Sequence, residues 1–199
     1  MVTYRKIPRP KSQNPNPKSP IPNRNTETMD DTEPLQIPRP SQLWKQLSAE
    51  RKTQAAEAFW SDSNASVEHA EAIVAIAQRI KFRPKSVIAL PVEKKARHLV
   101  SVGAVSELVA ARLLVAYHLA QQRPMMGAFL DALGIAHAEG LISDENVEAP
   151  SIERLEKAAK AIAASYPAED VALYLSTLMW QDPDTWGDLD KVPETRAVA

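Results

Sequence analysis

The side chains best suited to proton transfer or metal binding are four histidines, and they are too widely spaced to form a site on one helix. They are His69, His98, His118 and His137. A metal site on a single helix needs ligands three or four residues apart, and none of these histidines has a His, Asp or Glu at that distance. The sequence therefore predicts no metal site, and any acid–base pair has to form through the tertiary fold.

Two acidic residues are candidates to join these histidines in a buried polar site or pocket. Glu107 precedes His118 by about three helical turns on the same face, so the two side chains cannot touch directly. Asp131 and His137 flank a Leu-Gly-Ile turn, where they could approach each other. We interpret His118 as a hydrogen-bonded interior residue, and Asp131 with His137 as a polar helix end. The alternative is that Glu107, His118, Asp131 and His137 line a pocket.

Other kinds of chemistry need residues or motifs that the chain lacks. With no cysteine there is no disulfide, zinc–thiolate site, iron–sulfur cluster or thiol nucleophile. The five glycines are isolated, so the sequence contains no glycine-rich phosphate-binding loop and no nucleophile-elbow motif. The sequence thus indicates no catalytic residue and no cofactor and favours a non-enzymatic protein. A helical enzyme that assembles Glu107, His118, Asp131 or His137 is a third possibility.

A run of basic residues is the strongest charge feature of the chain. Between residues 79 and 97, seven basic residues accompany one acidic residue, Glu93. The seven are Arg79, Lys81, Arg83, Lys85, Lys94, Lys95 and Arg97. Such a run supplies counterion-release affinity for a phosphate-rich partner, and Phe82 within it could stack on a base. The alternative is that these side chains solvate a loop or complement the acidic last third of the chain.

The net charge of −1 conceals an uneven distribution of basic and acidic residues along the chain. It excludes a generally basic nucleic-acid-binding protein, yet residues 40–140 carry twelve basic and nine acidic residues, whereas residues 141–199 carry five and twelve. A partner would therefore meet a basic middle and an acidic end.

Prolines divide the chain into an arm and a body. Nine of the sixteen prolines lie in residues 1–40, among polar residues with few large apolar side chains, which predicts a disordered proline-rich arm. From Ser41 the apolar residues recur at helical spacing. We predict an all-α bundle of about seven or eight helices over residues 41–181, followed by a short acidic tail at residues 182–199. No run of strand-type alternation is present.

The most apolar segment is residues 105–122, long enough together with its flanks to raise the question of a membrane span. Glu107, Arg112 and His118 lie inside it, and no second segment is comparable. We therefore predict no membrane span and interpret the segment as a helix almost surrounded by the rest of the bundle. Near the end of the chain, Trp180 is expected to close the core. Trp186 is expected to dock on its own domain or to anchor a partner.

The sequence favours a soluble, cytoplasmic, non-enzymatic interaction protein, an adaptor or scaffold whose helical grooves receive a protein partner. The arm would then be a tether. The alternative is a nucleic-acid-associated or anionic-ligand-binding module that uses the segment Arg79–Arg97.

Overall fold

The structure, a computed structural model, describes residues 37–143 and 147–196, and these are mostly helical. Ten α-helices occur in them: α1 (Pro40–Gln46), α2 (Ala49–Ser61), α3 (Ser66–Ile80), α4 (Pro84–Ile88), α5 (Val92–Val100), α6 (Glu107–Gln121), α7 (Arg123–Leu133), α8 (Ile152–Ala163), α9 (Ala168–Gln181) and α10 (Pro183–Trp186). Two 3₁₀ helices, Gly187–Lys191 and Pro193–Arg196, follow. The predicted all-α class is confirmed, with short additional helices that begin at prolines.

Local sequence signals set the helix ends. The hydroxyl oxygen of Ser48 accepts a hydrogen bond from the Arg51 amide at 3.2 Å and begins α2, and Ser106 does the same for α6 through Val109. Helix α7 ends at Gly134, whose φ of 68° closes the helix in the left-handed conformation. These caps fix the helices whose apolar faces then pack together.

The helices enclose two apolar cores. The first is built on α1 to α6 around fully buried residues such as Phe59, Leu99 and Leu113. The second is built on α7 to α10 and the 3₁₀ helices around Phe129 and Leu155. Helices α6 and α9 contact each other where the two cores meet, and α9 contributes buried residues to both. This α6–α9 contact is the seam of the fold.

Helix α6 is buried on most of its circumference, as its apolar sequence predicts. Its buried residues are Val109, Ala110, Leu113, Leu114, Ala116, Tyr117 and His118. Among residues 37–143 and 147–196, no helix combines the length and apolar composition needed to cross a bilayer. The apolar character of α6 thus reflects packing against α1, α2, α3 and α9.

The segment after residue 181 packs on the body where the sequence suggests a tail. Asp182 caps the short helix α10 by accepting from the Thr185 amide, and Pro183 at its first position turns the chain back. Trp186, Leu189 and Val192 are then buried in the second core. Apolar residues spaced three apart, rather than the surrounding acidic residues, determine where this segment lies.

The predicted arm lies outside the described residues except for its last four. Ile37 packs against the second core, the Pro38 carbonyl accepts a hydrogen bond from the Trp180 indole at 3.0 Å, and Pro40 begins α1. The predicted boundary at Pro40 therefore falls within a segment that already contacts the helical body.

A small hairpin lies at residues 137–142, although the sequence shows no strand-type alternation. Strands β1 (His137–Ala138) and β2 (Leu141–Ile142) pair antiparallel around Glu139 and Gly140, which both have positive φ. A two-residue loop of this kind usually carries Asn-Gly or Asp-Gly, so the Glu-Gly sequence gives little indication of it.

Candidate functional site

A groove runs along the outer side of the α6–α9 seam, and the exposed stripe of α6 forms one wall. Five accessible residues on one face of α6 line this wall: Leu108, Ala111, Arg112, Val115 and Leu119. At 1.5 Å per residue, they span about 16 Å of helix. Because the other residues between Leu108 and Leu119 are buried, this stripe is the accessible surface of that part of α6.

Helix α9 forms the opposite wall, also through residues three or four apart. The lining residues on it are Tyr174, Thr177, Leu178 and Gln181, with Trp180 at one end. Trp180 is 37% exposed, although the sequence suggests that it closes the core, and Trp186 is buried at the floor of the groove. Trp186 thus docks on its own domain, one of the two positions expected for it, whereas Trp180 does not close the core.

The groove consists of two adjoining cavities of about 480 Å³ and 260 Å³. They share Arg112, Val115, Thr177 and Gln181. The larger cavity ends at the hairpin residues Leu141 and Ile142, and the smaller ends at Leu108, Trp180 and Pro40. Exposed large apolar side chains therefore stand at both ends of one continuous groove.

His118 lines the larger cavity as an uncharged ring. The Thr177 hydroxyl donates to the Leu173 carbonyl at 2.7 Å, so we assign its oxygen as the acceptor for Nε2–H of His118 at 3.2 Å. Nδ1 then carries the lone pair and has no hydrogen-bond partner among the described residues. Burial lowers the pKa of His118 to about 3, and the Leu173 carbonyl offsets part of this effect. The same burial raises the pKa of the Tyr174 hydroxyl.

The charged side chains along the groove leave its rim acidic. Arg112 forms an ion pair with Asp62 at 2.6 Å, and Asp62, which lines neither cavity, neutralises the charge of the guanidinium group. Glu68 lines the smaller cavity and Asp182 the larger, and neither forms an ion pair with a described residue. The groove thus joins an apolar interior to two carboxylates.

Glu107 lies apart from the groove lining and joins α6 to α1. Its carboxylate accepts from the Ser41 hydroxyl at 2.6 Å and from the Ser41 amide at 3.0 Å. These hydrogen bonds, the hydroxyl first, lower the pKa of Glu107. Glu107 and His118 line no common cavity in the described part of the chain.

The structure brings Asp131 and His137 together at the base of the hairpin. Nδ1 of His137 accepts from the Gly140 amide at 3.1 Å, so its Nε2–H donates to Asp131, also at 3.1 Å. Arg123 and Glu139 form an ion pair beside them at 3.0 Å. These contacts fasten the hairpin to α7, and the residues line an open depression.

The residues of the basic run make different contacts, and all of them except Lys95 are exposed. The Lys95 ammonium lies over the Trp60 ring, 4.8 Å from its centre, and Arg79 reaches the Ser101 carbonyl at 3.4 Å. Arg97 lines a small cavity with Glu57 and Glu93 between α2 and α5. Four cations remain exposed around α4 and the start of α5: Lys81, Arg83, Lys85 and Lys94. Of the seven, none forms an ion pair with an acidic residue in the described part of the chain.

Several lining residues of the groove carry no distinctive signal in the sequence. Leu108 belongs to an apolar helix in which every face resembles the core, and Leu141 and Ile142 sit in a hairpin that the sequence hardly indicates. The lining residues that the sequence does single out are His118, Trp180 and Trp186.

The described residues contain no group of three or more His, Asp or Glu side chains placed to hold a metal ion. Comparisons of the chain with protein-family models, with curated proteins and with solved structures found no match.

Proposed function

We propose that this protein is a non-enzymatic interaction module whose α6–α9 groove binds an amphipathic helix with basic flanks, presented by a protein partner. The observation that carries the proposal is the continuous apolar groove, with exposed Leu108 and Trp180 at one end and Leu141 and Ile142 at the other. A partner that covers these side chains gains roughly 25 cal/mol for each Å² of apolar surface removed from water.

The dimensions of the groove suit a helical segment. Its wall on α6 extends over about 16 Å, which corresponds to about three turns of a partner helix. A helix of this length presents three or four anchoring side chains at i, i+3 or i+4 and i+7. The two cavities on either side of Val115 and Gln181 offer pockets for such anchors.

The two carboxylates at the rim of the groove favour a partner with basic residues beside its apolar anchors. Glu68 and Asp182 lie at the two cavities without a described ionic partner, while Arg112 is neutralised by Asp62. Basic residues beside the apolar anchors would complement these carboxylates, and acidic ones would be repelled. The uncharged His118 ring adds no charge to the wall of the larger cavity at neutral pH.

The arrangement gives no support to a helical enzyme. Glu107 is engaged at α1, His118 is enclosed in the groove wall, and Asp131 with His137 holds the hairpin. Acid–base catalysis needs its groups within hydrogen-bond reach of one substrate atom, whereas these three positions share no cavity among the described residues.

The test uses two cross-linked helical peptides as probes, one built of leucine and lysine and one of leucine and glutamate. Calorimetry should detect saturable binding of the leucine–lysine peptide and weaker binding of the leucine–glutamate peptide. Leu108→Asp should reduce the affinity for the leucine–lysine peptide by about tenfold or more, as expected when an apolar anchor is lost.

Val74→Asp is the matched control, because Val74 on α3 is 46% exposed, close to the 47% of Leu108, and lines neither groove cavity. It should leave the affinity unchanged. Equal affinities of Leu108→Asp and Val74→Asp, or a preference for the acidic peptide, would contradict the proposal.

A further inference from the structure

A second surface of the molecule combines exposed apolar and basic side chains. It is the corner between α3 and α5, which we define by Lys81, Phe82, Arg83, Lys85 and Ile88. Phe82 is 55% exposed and Ile88 is 57% exposed, and the three cations Lys81, Arg83 and Lys85 are exposed as well. None of these residues lines either groove cavity, so this corner is separate from the proposed peptide site.

The backbone between Phe82 and Ile88 is folded, which limits the distance between these two residues. Lys81 ends α3 with a φ of 57°, and the Phe82 amide donates to the Ala77 carbonyl at 3.0 Å. Helix α4 starts at Pro84 and is anchored by Val87, which is fully buried. From Phe82 to Ile88 the chain can extend at most about 14 Å, because four of the six steps are helical. Phe82 and Ile88 are therefore presented together by a folded corner.

The charge of this corner is not balanced by neighbouring acids. Lys81, Arg83 and Lys85 form no ion pair with a described residue. The single acidic residue of the basic run, Glu93, lines the cavity between α2 and α5 with Arg97. An anionic partner would therefore meet three cations without displacing an internal salt bridge.

The apolar side chains distinguish between two kinds of anionic partner. Phe82 could stack on a nucleic-acid base or enter the interfacial region of a bilayer. Ile88 cannot stack, and phosphate backbones offer it no apolar surface, whereas the boundary between headgroups and acyl chains accommodates aliphatic side chains. Lys81, Arg83 and Lys85 would at the same time face anionic headgroups.

We propose that the α3–α5 corner binds the surface of an anionic lipid membrane, with Phe82 and Ile88 inserted between headgroups and Lys81, Arg83 and Lys85 held at the headgroup level.

Vesicle co-sedimentation of the full chain tests this proposal. Vesicles of equimolar phosphatidylcholine and phosphatidylserine should bind the protein, and vesicles of phosphatidylcholine alone should bind it much more weakly. The combined variant Lys81→Ser, Arg83→Ser and Lys85→Ser should weaken partitioning by about a hundredfold, and added salt should weaken the partitioning of the parent chain. The single variant Ile88→Ser should weaken it several-fold without altering the charge.

Two control variants match these changes elsewhere on the surface. Lys157→Ser with Lys160→Ser removes exposed cations from α8, and Val74→Ser removes an exposed apolar side chain from α3. Both should bind phosphatidylserine vesicles as the parent chain does. Circular dichroism melting curves that overlay for all variants exclude unfolding as the cause of any loss.

Three results would overturn the proposal. The first is no binding to phosphatidylserine vesicles at low salt. The second is binding that Ile88→Ser does not weaken. The third is tighter binding to a fluorescein-labelled single-stranded oligonucleotide, lost in the triple cation variant but retained in Ile88→Ser, which would assign the corner to nucleic acid.

Discussion

At the scale of single residues, the uncharged ring of His118 keeps a positive charge out of the groove wall. Its Nε2–H is held by Thr177, and its enclosure lowers the pKa of the ring from 6.5 to about 3. A charged ring at this position would place a cation in an apolar wall with no carboxylate bonded to it. The interior therefore tolerates this histidine only in its uncharged form.

The pH dependence of stability should report this burial. As the pH falls below 6.5, the unfolded chain protonates His118 while the folded chain does not, so the folded state loses stability until about pH 3. The loss is about 1.4 kcal/mol per pH unit, or about 2 kcal/mol between about pH 6 and pH 4.5. Urea unfolding of the parent chain and of His118→Gln across this range should show a free-energy difference that changes by this amount.

All other titrating groups are common to the two chains, so the comparison isolates His118. If the two stability curves run parallel from about pH 6 to pH 4.5, the ring is protonated in the folded state and the wall of the groove is charged.

The sequence predicts the interior role of His118 but not the cavity beside it. An imidazole in the middle of an apolar helix can be expected to be buried, because every face of that helix is apolar. Its partner Thr177 is fifty-nine residues away and on another helix, so the contact depends on how α6 and α9 pack. The same holds for Glu107 and Ser41, which meet across α1 and α6.

At the scale of elements, the hairpin that closes one end of the groove depends on a single glycine. Gly140 has a φ of 81°, and a Cβ atom at this position would lie 2.7 Å from the Met126 Cβ and 3.0 Å from the Arg123 carbonyl oxygen. Both the backbone conformation and the space therefore require glycine.

Gly140→Ala should lower the free energy of unfolding by about 2–4 kcal/mol, because it adds a steric clash to the cost of the left-handed conformation. Gly134→Ala is the matched control. Gly134 has a φ of 68°, but nothing lies within 4 Å of its Cβ position, so only about 1 kcal/mol is expected. Chemical denaturation measures both, and equal losses would show that the hairpin does not pack against α7 as described.

Helix ends are the part of the architecture that the sequence predicts best. Ser48, Ser106 and Gly134 act through their own backbone or side-chain chemistry within one or two turns, so their effect can be read locally. The sequence does not predict the hairpin, because each strand pairs over only two residues and Gly140 has to pack against α7.

At the scale of the whole molecule, the last segment of the chain completes the second core. Trp186 packs with Phe129, their ring centres 6.2 Å apart, and forms part of the floor of the groove. Trp180, six residues earlier, lies at the open end of the groove and donates to Pro38. The sequence, with two tryptophans among acids, does not reveal which one is buried.

Replacing each tryptophan by alanine should separate these roles. Trp186→Ala should cost about 3–5 kcal/mol of unfolding free energy, the usual loss for a large buried aromatic residue. Trp180→Ala should cost about 1 kcal/mol, the value of one hydrogen bond and partial burial. Thermal unfolding by calorimetry gives both values, and a larger loss for Trp180→Ala would reverse the assignment of the two positions.

The groove at the seam between the two cores cannot be predicted from the sequence. The all-α class follows from helical periodicity, and the apolar α6 follows from its composition. Which stripe of α6 stays uncovered depends on the path of α9 and on the hairpin, so the groove is a property of the assembled fold.

Fluorescence of Trp180 gives the most direct measurement of groove occupancy. Of the four tryptophans, all of which lie in the described part of the chain, Trp44, Trp60 and Trp186 are buried and Trp180 is exposed. Iodide should therefore quench mainly Trp180. Leucine–lysine peptide at a concentration that just saturates the parent chain should protect Trp180 from iodide and shift its emission to shorter wavelength. The effect should be the same in Val74→Asp and clearly smaller in Leu108→Asp at that concentration. Quenching that stays unchanged while the peptide binds would show that the peptide binds elsewhere and contradict the assignment of the α6–α9 groove.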